Sequence, residues 1–125
     1  MISAEDLDLF GYYDMFDNNT EKPTDTYSKW VEGKIITEGQ ERLIENVLGL
    51  VGEAGEVAEK IKKQIRDNTK VSADDIVKEL GDVLFYTTAL ANYYNRSLGY
   101  VIEVNVKKLD DREDRGVLKG QGDNR

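Results

Sequence analysis

Glu53-Ala-Gly-Glu56 and Glu79-Leu-Gly-Asp82 are the two stretches whose reading decides this chain. Within each, the two carboxylates are spaced i, i+3, so on a helix they share one face. The pairs are 22 residues apart, enough for two helices joined by a short connection. If the pairs face each other, four carboxylates surround one point. That arrangement is unfavourable unless a cation holds it, and hard oxygen donors are what Mg²⁺ or Mn²⁺ takes. Glu53, Glu56, Glu79 and Asp82 are therefore the candidate metal ligands.

The flanking residues supply the helices. Leu43, Val47, Leu50, Ala54, Val57 and Ile61 are spaced 4, 3, 4, 3, 4, which is a heptad seam. Ile44, Leu48, Val51, Ala58 and Ile65 form a second apolar row beside it, so the apolar face is wide. One residue N-terminal to the seam runs Asn46, Gly49, Glu53, Glu56 and Lys60. The expected helix spans about Glu38 to Asp67, opened by a Thr37-Glu-Gly-Gln40 capping box. Asn68 to Val71 connects it to the next helix, from about Ala73 to Asn95, capped by Ser72. There Ile76, Leu80, Val83, Thr87, Leu90 and Tyr94 repeat the spacing, and Asp75, Glu79, Asp82 and Tyr86 hold the same offset from the seam. The short connection makes the helices antiparallel neighbours. Gly49, Gly52 and Gly55 each weaken a helix by about 1 kcal/mol relative to Ala. Either a packing seam of small residues or room for a ligand accounts for them.

Outside this pair the signals are shorter. Ser97 caps a last helix from about Leu98 to Glu113, and the Gly-rich stretch after it reads as a loop. Residues 1 to 17 carry a loose apolar stripe that suggests a short helix, and Asn18 to Asp25 reads as a loop. Tyr27 to Val31 reads as a helical turn ending near Gly33, with Trp30 as a packing anchor. The expectation is one all-α domain over 1–125: an N-terminal region 1–39, catalytic helices 40–112 and a C-terminal loop 113–125.

Composition narrows the chemistry. The net charge of −8 disfavours nucleic acid polymers and anionic membranes as partners. Cysteine and histidine are both absent. Thiolate chemistry is excluded, and acid–base work must fall to carboxylates, Lys, Tyr or water. A di-iron or di-manganese bundle needs Glu-x-x-His, which this chain cannot supply. A cytoplasmic location is expected.

Together, Glu53-x-x-Glu56 and Glu79-x-x-Asp82 resemble the signature of the MazG-like all-alpha nucleoside triphosphate pyrophosphohydrolases. Leu48-Gly-Leu-Val-Gly-Glu-Ala-Gly-Glu-Val-Ala-Glu59 and Lys78-Glu-Leu-Gly-Asp-Val-Leu-Phe-Tyr86 carry the same likeness. Asn105-x-x-Lys108-x-x-x-Arg112 looks like the family's third element, and the Gly-x-Gly-Asp-Asn-Arg ending resembles small phage members. The likeness runs from about residue 40 to 125. It implies a helical bundle completed by oligomerisation, as a homodimer or tetramer. It also implies Mg²⁺-dependent hydrolysis of (deoxy)nucleoside triphosphates between the α and β phosphates, with Mn²⁺ sometimes replacing Mg²⁺. Glu53, Glu56, Glu79 and Asp82 would then bind the metal, and Glu53 or Glu56 would help deprotonate the attacking water. Asn105, Lys108 and Arg112 would meet the substrate, with help from Lys60. The rival readings are a hydrolase of the same fold specific for dUTP or an alarmone, and a non-catalytic helical nucleotide-binding or interaction protein.

Overall fold

The computed structural model describes residues 22–123, and these form four α-helices without a strand. They are α1 (Pro23–Lys34), α2 (Gly39–Asp67), α3 (Ala73–Tyr93) and α4 (Leu98–Asp114). The all-α class expected from the heptad seams is what is observed. The helix expected within residues 1 to 17 lies outside the described residues.

Each boundary has a local cause. Ser72 Oγ accepts from Asp75 N–H at 3.1 Å, and Ser97 Oγ accepts from Tyr100 N–H at 3.1 Å, so both serine caps form as read. α2 ends at Asn68, whose left-handed backbone (φ 50°) stops the helix. Two expectations need correction. α1 is a 12-residue helix rather than a single turn, because Pro23 sits at its first turn, where a missing N–H costs nothing. Residues 23–25 therefore belong to a helix, not to a loop. Thr37 does not cap α2: the cap position is Glu38, without a side-chain hydrogen bond. The chain enters through Gly39 at φ 58°, a conformation that suits glycine and moves Thr37 out of capping register.

α2 packs along α3 as its main neighbour, while α1 lies against α3 and α4. Polar bonds fix the joints. Arg42 of α2 forms a two-pronged ion pair with Glu32 of α1, both contacts at 2.7 Å. The buried Ser28 hydroxyl donates to Thr24 O and accepts from Leu98 N–H, tying α1 to the start of α4. Asn92 Nδ2 donates to Ser28 O, which adds α3 to the same knot.

The buried apolar side chains among the described residues are Val31, Ala89 and Leu98. The second apolar row of α2 is on the outside. Ile44, Leu48, Val51 and Ile65 are all more than half exposed, and Val77 and Leu80 of α3 share that condition.

Candidate metal centre

Glu53 on α2 and Glu79 and Asp82 on α3 each bring a carboxylate oxygen to within 4.8 Å of the others. The two i, i+3 pairs thus converge through three of their four members. Glu56 lies beside the group but is not part of it. The Glu53 carboxyl is pushed above its ordinary range, first by partial burial, then by the negative charges of Asp82, Glu79 and Glu56, and by a hydrogen bond with Glu79. The residues fit a divalent ion on chemical grounds. Three carboxylate oxygens drawn together from two helices are the donor set a hard divalent ion takes. The crowding that disfavours an ionised Glu53 is what a cation relieves.

The glycines separate into two kinds. A Cβ on Gly49 would collide with the Tyr86 ring, so this glycine exists to let α3 lie close. Cβ atoms on Gly52, Gly55 and Gly81 would meet nothing within 4 Å. The open side of both helices is therefore beside the carboxylates.

Lys60 Nζ lies 3.6 Å from Glu79, so it neutralises part of the acidic group in this state. Asn105 and Lys108 are exposed on α4, whereas Arg112 is buried. The Arg112 guanidinium donates to Asp123 O at 2.9 Å and to its carboxylate at 3.3 Å, and Lys108 lies 3.6 Å from the same carboxylate. Arg112 and Lys108 together hold the Asp123 carboxyl below its usual range. The segment after α4 thus folds back onto that helix and places an anion between two cations. Burial of Arg112 gave no sequence signal, since its partner is a loop residue.

An aromatic row flanks the acids. The Tyr27 hydroxyl is raised in pKa by burial and then by the charge of Asp82. Tyr27 stacks on Trp30 at 5.7 Å, Trp30 meets Phe85 edge-on at 6.1 Å, and Phe85 meets Tyr86 edge-on at 5.3 Å. Trp30 does pack, but it stays 52% exposed, so it is a wall and not a core anchor.

The model of the MazG nucleotide pyrophosphohydrolase domain matches residues 41–117. The chain belongs to the MazG family. Glu53, Glu56, Glu79 and Asp82 all fall inside the matched span, as do Asn105, Lys108 and Arg112. The Gene 37 protein of Mycobacterium phage L5 is 50% identical over 82 residues, covering 62% of this chain and 72% of its own. This likeness agrees with a small phage-type member of the MazG family. No solved structure matches. Family membership supports nucleotide pyrophosphohydrolase activity in general and a nucleotide as substrate. No helix among the described residues is long and apolar enough to cross a membrane.

Proposed function

We propose that this MazG-family chain hydrolyses (deoxy)nucleoside triphosphates between the α and β phosphates, releasing nucleoside monophosphate and pyrophosphate. The observation that carries the reading is the convergence of Glu53, Glu79 and Asp82 from two helices within the matched domain. A strongly anionic substrate approaching a chain of net charge −8 needs a cationic bridge. Mg²⁺, or Mn²⁺ in its place, held by these three with Glu56 at their side, would supply that bridge and polarise the phosphoryl oxygens.

The residues divide the remaining work. Glu56 stands outside the tight group and so keeps oxygens available to take the proton of the attacking water, with Glu53 as the alternative base. The water oxygen bonds to phosphorus as the bond to the α–β bridging oxygen breaks, and pyrophosphate leaves with that electron pair. Lys108 and Arg112 neutralise the phosphates, and Asn105 hydrogen-bonds them. Asp123, an anion already seated on Lys108 and Arg112, marks the affinity of that place for negative charge. Lys60 exchanges Glu79 for a phosphate oxygen.

The assembly is a homodimer, or a tetramer built from dimers. The exposed row Ile44, Leu48, Val51 and Ile65 supports this, because large apolar side chains clustered on one exposed helix face mark a surface that associates.

The deciding experiment is release of pyrophosphate and monophosphate from a panel of canonical and modified nucleoside triphosphates, dUTP and ppGpp, with Mg²⁺ and with EDTA. Turnover with Mg²⁺ that stops in EDTA is expected. An inert chain at concentrations where it is folded would overturn the enzymatic reading in favour of a nucleotide-binding or interaction protein.

A further inference from the structure

Arg112 sits at odds with the work proposed for it. Its side chain is 5% exposed, too little to meet a phosphate as the chain stands. The segment that follows α4 lies against it. Gly116 turns the chain back with φ 73°. Its N–H donates to Glu113 O at 3.0 Å, and Val117 N–H donates to Arg112 O at 2.8 Å. These are the paired bonds that close a helix around a left-handed glycine. A second glycine at positive φ, Gly122 at 85°, then brings in Asp123.

The far end of this segment is held by charge. Arg112 donates to the Asp123 carbonyl at 2.9 Å and to its carboxylate at 3.3 Å, and Lys108 Nζ lies 3.6 Å from the same carboxylate oxygen. Lys108 and Arg112 are one turn apart on α4, and one carboxylate bridges them. A carboxylate offers a guanidinium the same charge-assisted bonds as a phosphate does. Both cations assigned to the substrate's phosphates are thus engaged by an anion of the chain's own. The hold is shallow: the Asp123 side chain is 86% exposed, so solvent and salt screen it. A fixed turn at one end and a screened ionic clasp at the other allow the segment to lift without unfolding α4.

We infer that residues 117–123 form an autoinhibitory strap: Asp123 takes the place of a substrate phosphate on Lys108 and Arg112, and an arriving triphosphate displaces it. A triphosphate brings several oxygens and more charge than one carboxylate, so it wins the exchange once the strap has lifted. Until then the closed fraction of chains lowers the apparent affinity for nucleotide. The inference rests on the nucleotide hydrolase reading above, which gives Lys108 and Arg112 to the phosphates.

The test is made on the full chain. Its probe is an analogue of the dNTP turned over best, with a methylene bridge between the α and β phosphorus atoms that cannot be hydrolysed. Kd for this analogue with Mg²⁺ is measured by calorimetry on the parent, Asp123→Asn and Asp111→Asn, with KM for the dNTP and a melting curve for each. Asp123→Asn keeps the size and the backbone contact to Arg112 but removes the competing charge, so Kd and KM should fall by about threefold to tenfold. Asp111→Asn removes the same charge from α4, where its partner is Arg115, and should shift Kd by less than about twofold. In the parent, the analogue should also speed trypsin cleavage after Lys119, because a displaced strap is open to protease. A Kd in Asp123→Asn equal to or weaker than the parent's overturns the strap and leaves the hydrolase reading intact. So does an equal fall in Asp111→Asn, which would assign the effect to net charge. Protection of Lys119 by the analogue overturns it too, since the segment would then close over substrate. A parent that neither binds the analogue nor releases pyrophosphate overturns both readings.

Discussion

The two sides of α2 invert the usual order of a soluble helix. Toward α3 it presents Asn46, Gly49 and Glu53, and it buries an amide and crowds a carboxylate there. About half a turn away it presents Ile44, Leu48, Val51 and Ile65 to solvent. A helix optimised for one chain in water would exchange these faces. The polar side has been given over to chemistry, and its weakness as a core must be made good elsewhere. The apolar side is where that compensation can occur, against a second copy.

Removing charge from the polar side should have the largest effect. Glu56→Gln and Asp82→Asn should each lower pyrophosphate release by roughly a thousandfold while leaving the helical circular dichroism unchanged. Near-normal turnover in either would remove that residue from the site. Glu53→Gln adds a sign to the comparison. The folded-state pKa of Glu53 is raised above its ordinary 4.5, so the ionised form opposes folding. That penalty is fully present above the folded pKa and disappears below the unfolded one. Glu53→Gln should be inactive with Mg²⁺, and in EDTA it should melt higher than the parent at pH 7, with the gap closing toward pH 4. A lower melting temperature at pH 7 would contradict the crowding argument.

The apolar side should break next. Leu48→Glu with Val51→Glu should convert the assembly to monomers on a sizing column with light-scattering detection, at a loss of about 2–4 kcal/mol of association free energy. An unchanged mass would mean that the copies meet through another face.

Gly49→Ala probes the seam between the two sides. The added methyl meets the Tyr86 ring, so chemical denaturation should show a loss of about 1–3 kcal/mol. Gly52→Ala and Gly55→Ala, whose methyls meet nothing within 4 Å, should not destabilise the isolated helix packing.

The smallest effect is at the edge, in the ion pair of Glu32 and Arg42. Glu32 is held below its ordinary carboxylate range by the hydrogen bond from Arg42, against the opposing effect of partial burial. Its contribution is present above the unfolded value of 4.5 and fades as pH falls through the lower folded value. Arg42→Ala should therefore destabilise by about 1 kcal/mol at pH 7, half-exposed Glu32 being partly screened, and by less near pH 3. A pH-independent difference would assign the loss to packing of the arginine stem.

What the sequence made legible was periodic. The two seams, the caps at Ser72 and Ser97 and the shared offset of the carboxylates follow from helical geometry alone. Three of the four carboxylates meet because equal offsets on antiparallel helices must face one another; Glu56, one turn further along, stands aside. The features that escaped depend on contacts between distant residues. Pro23 was hidden in a polar run that reads as a loop, and its helix shows only when α1 packs on α3 and α4. Asn46 stood in the same row as Glu53, yet its burial without a partner depends on the α1–α2 connection and on Phe85 and Tyr86. Arg112 looked like a surface cation because its partner, Asp123, sits in a stretch without periodicity.

Val31, Ala89 and Leu98 are the buried apolar side chains of the described residues, so few apolar side chains among these residues are closed off inside one molecule. If the stripe on α2 is closed by another copy, part of the core exists only between molecules. Folding then acquires a reaction order: the melting temperature climbs with protein concentration, and dilution acts as a denaturant. The carboxylates of Glu53, Glu79 and Asp82 would then keep their mutual spacing only while enough neighbours remain to support the helices that carry them.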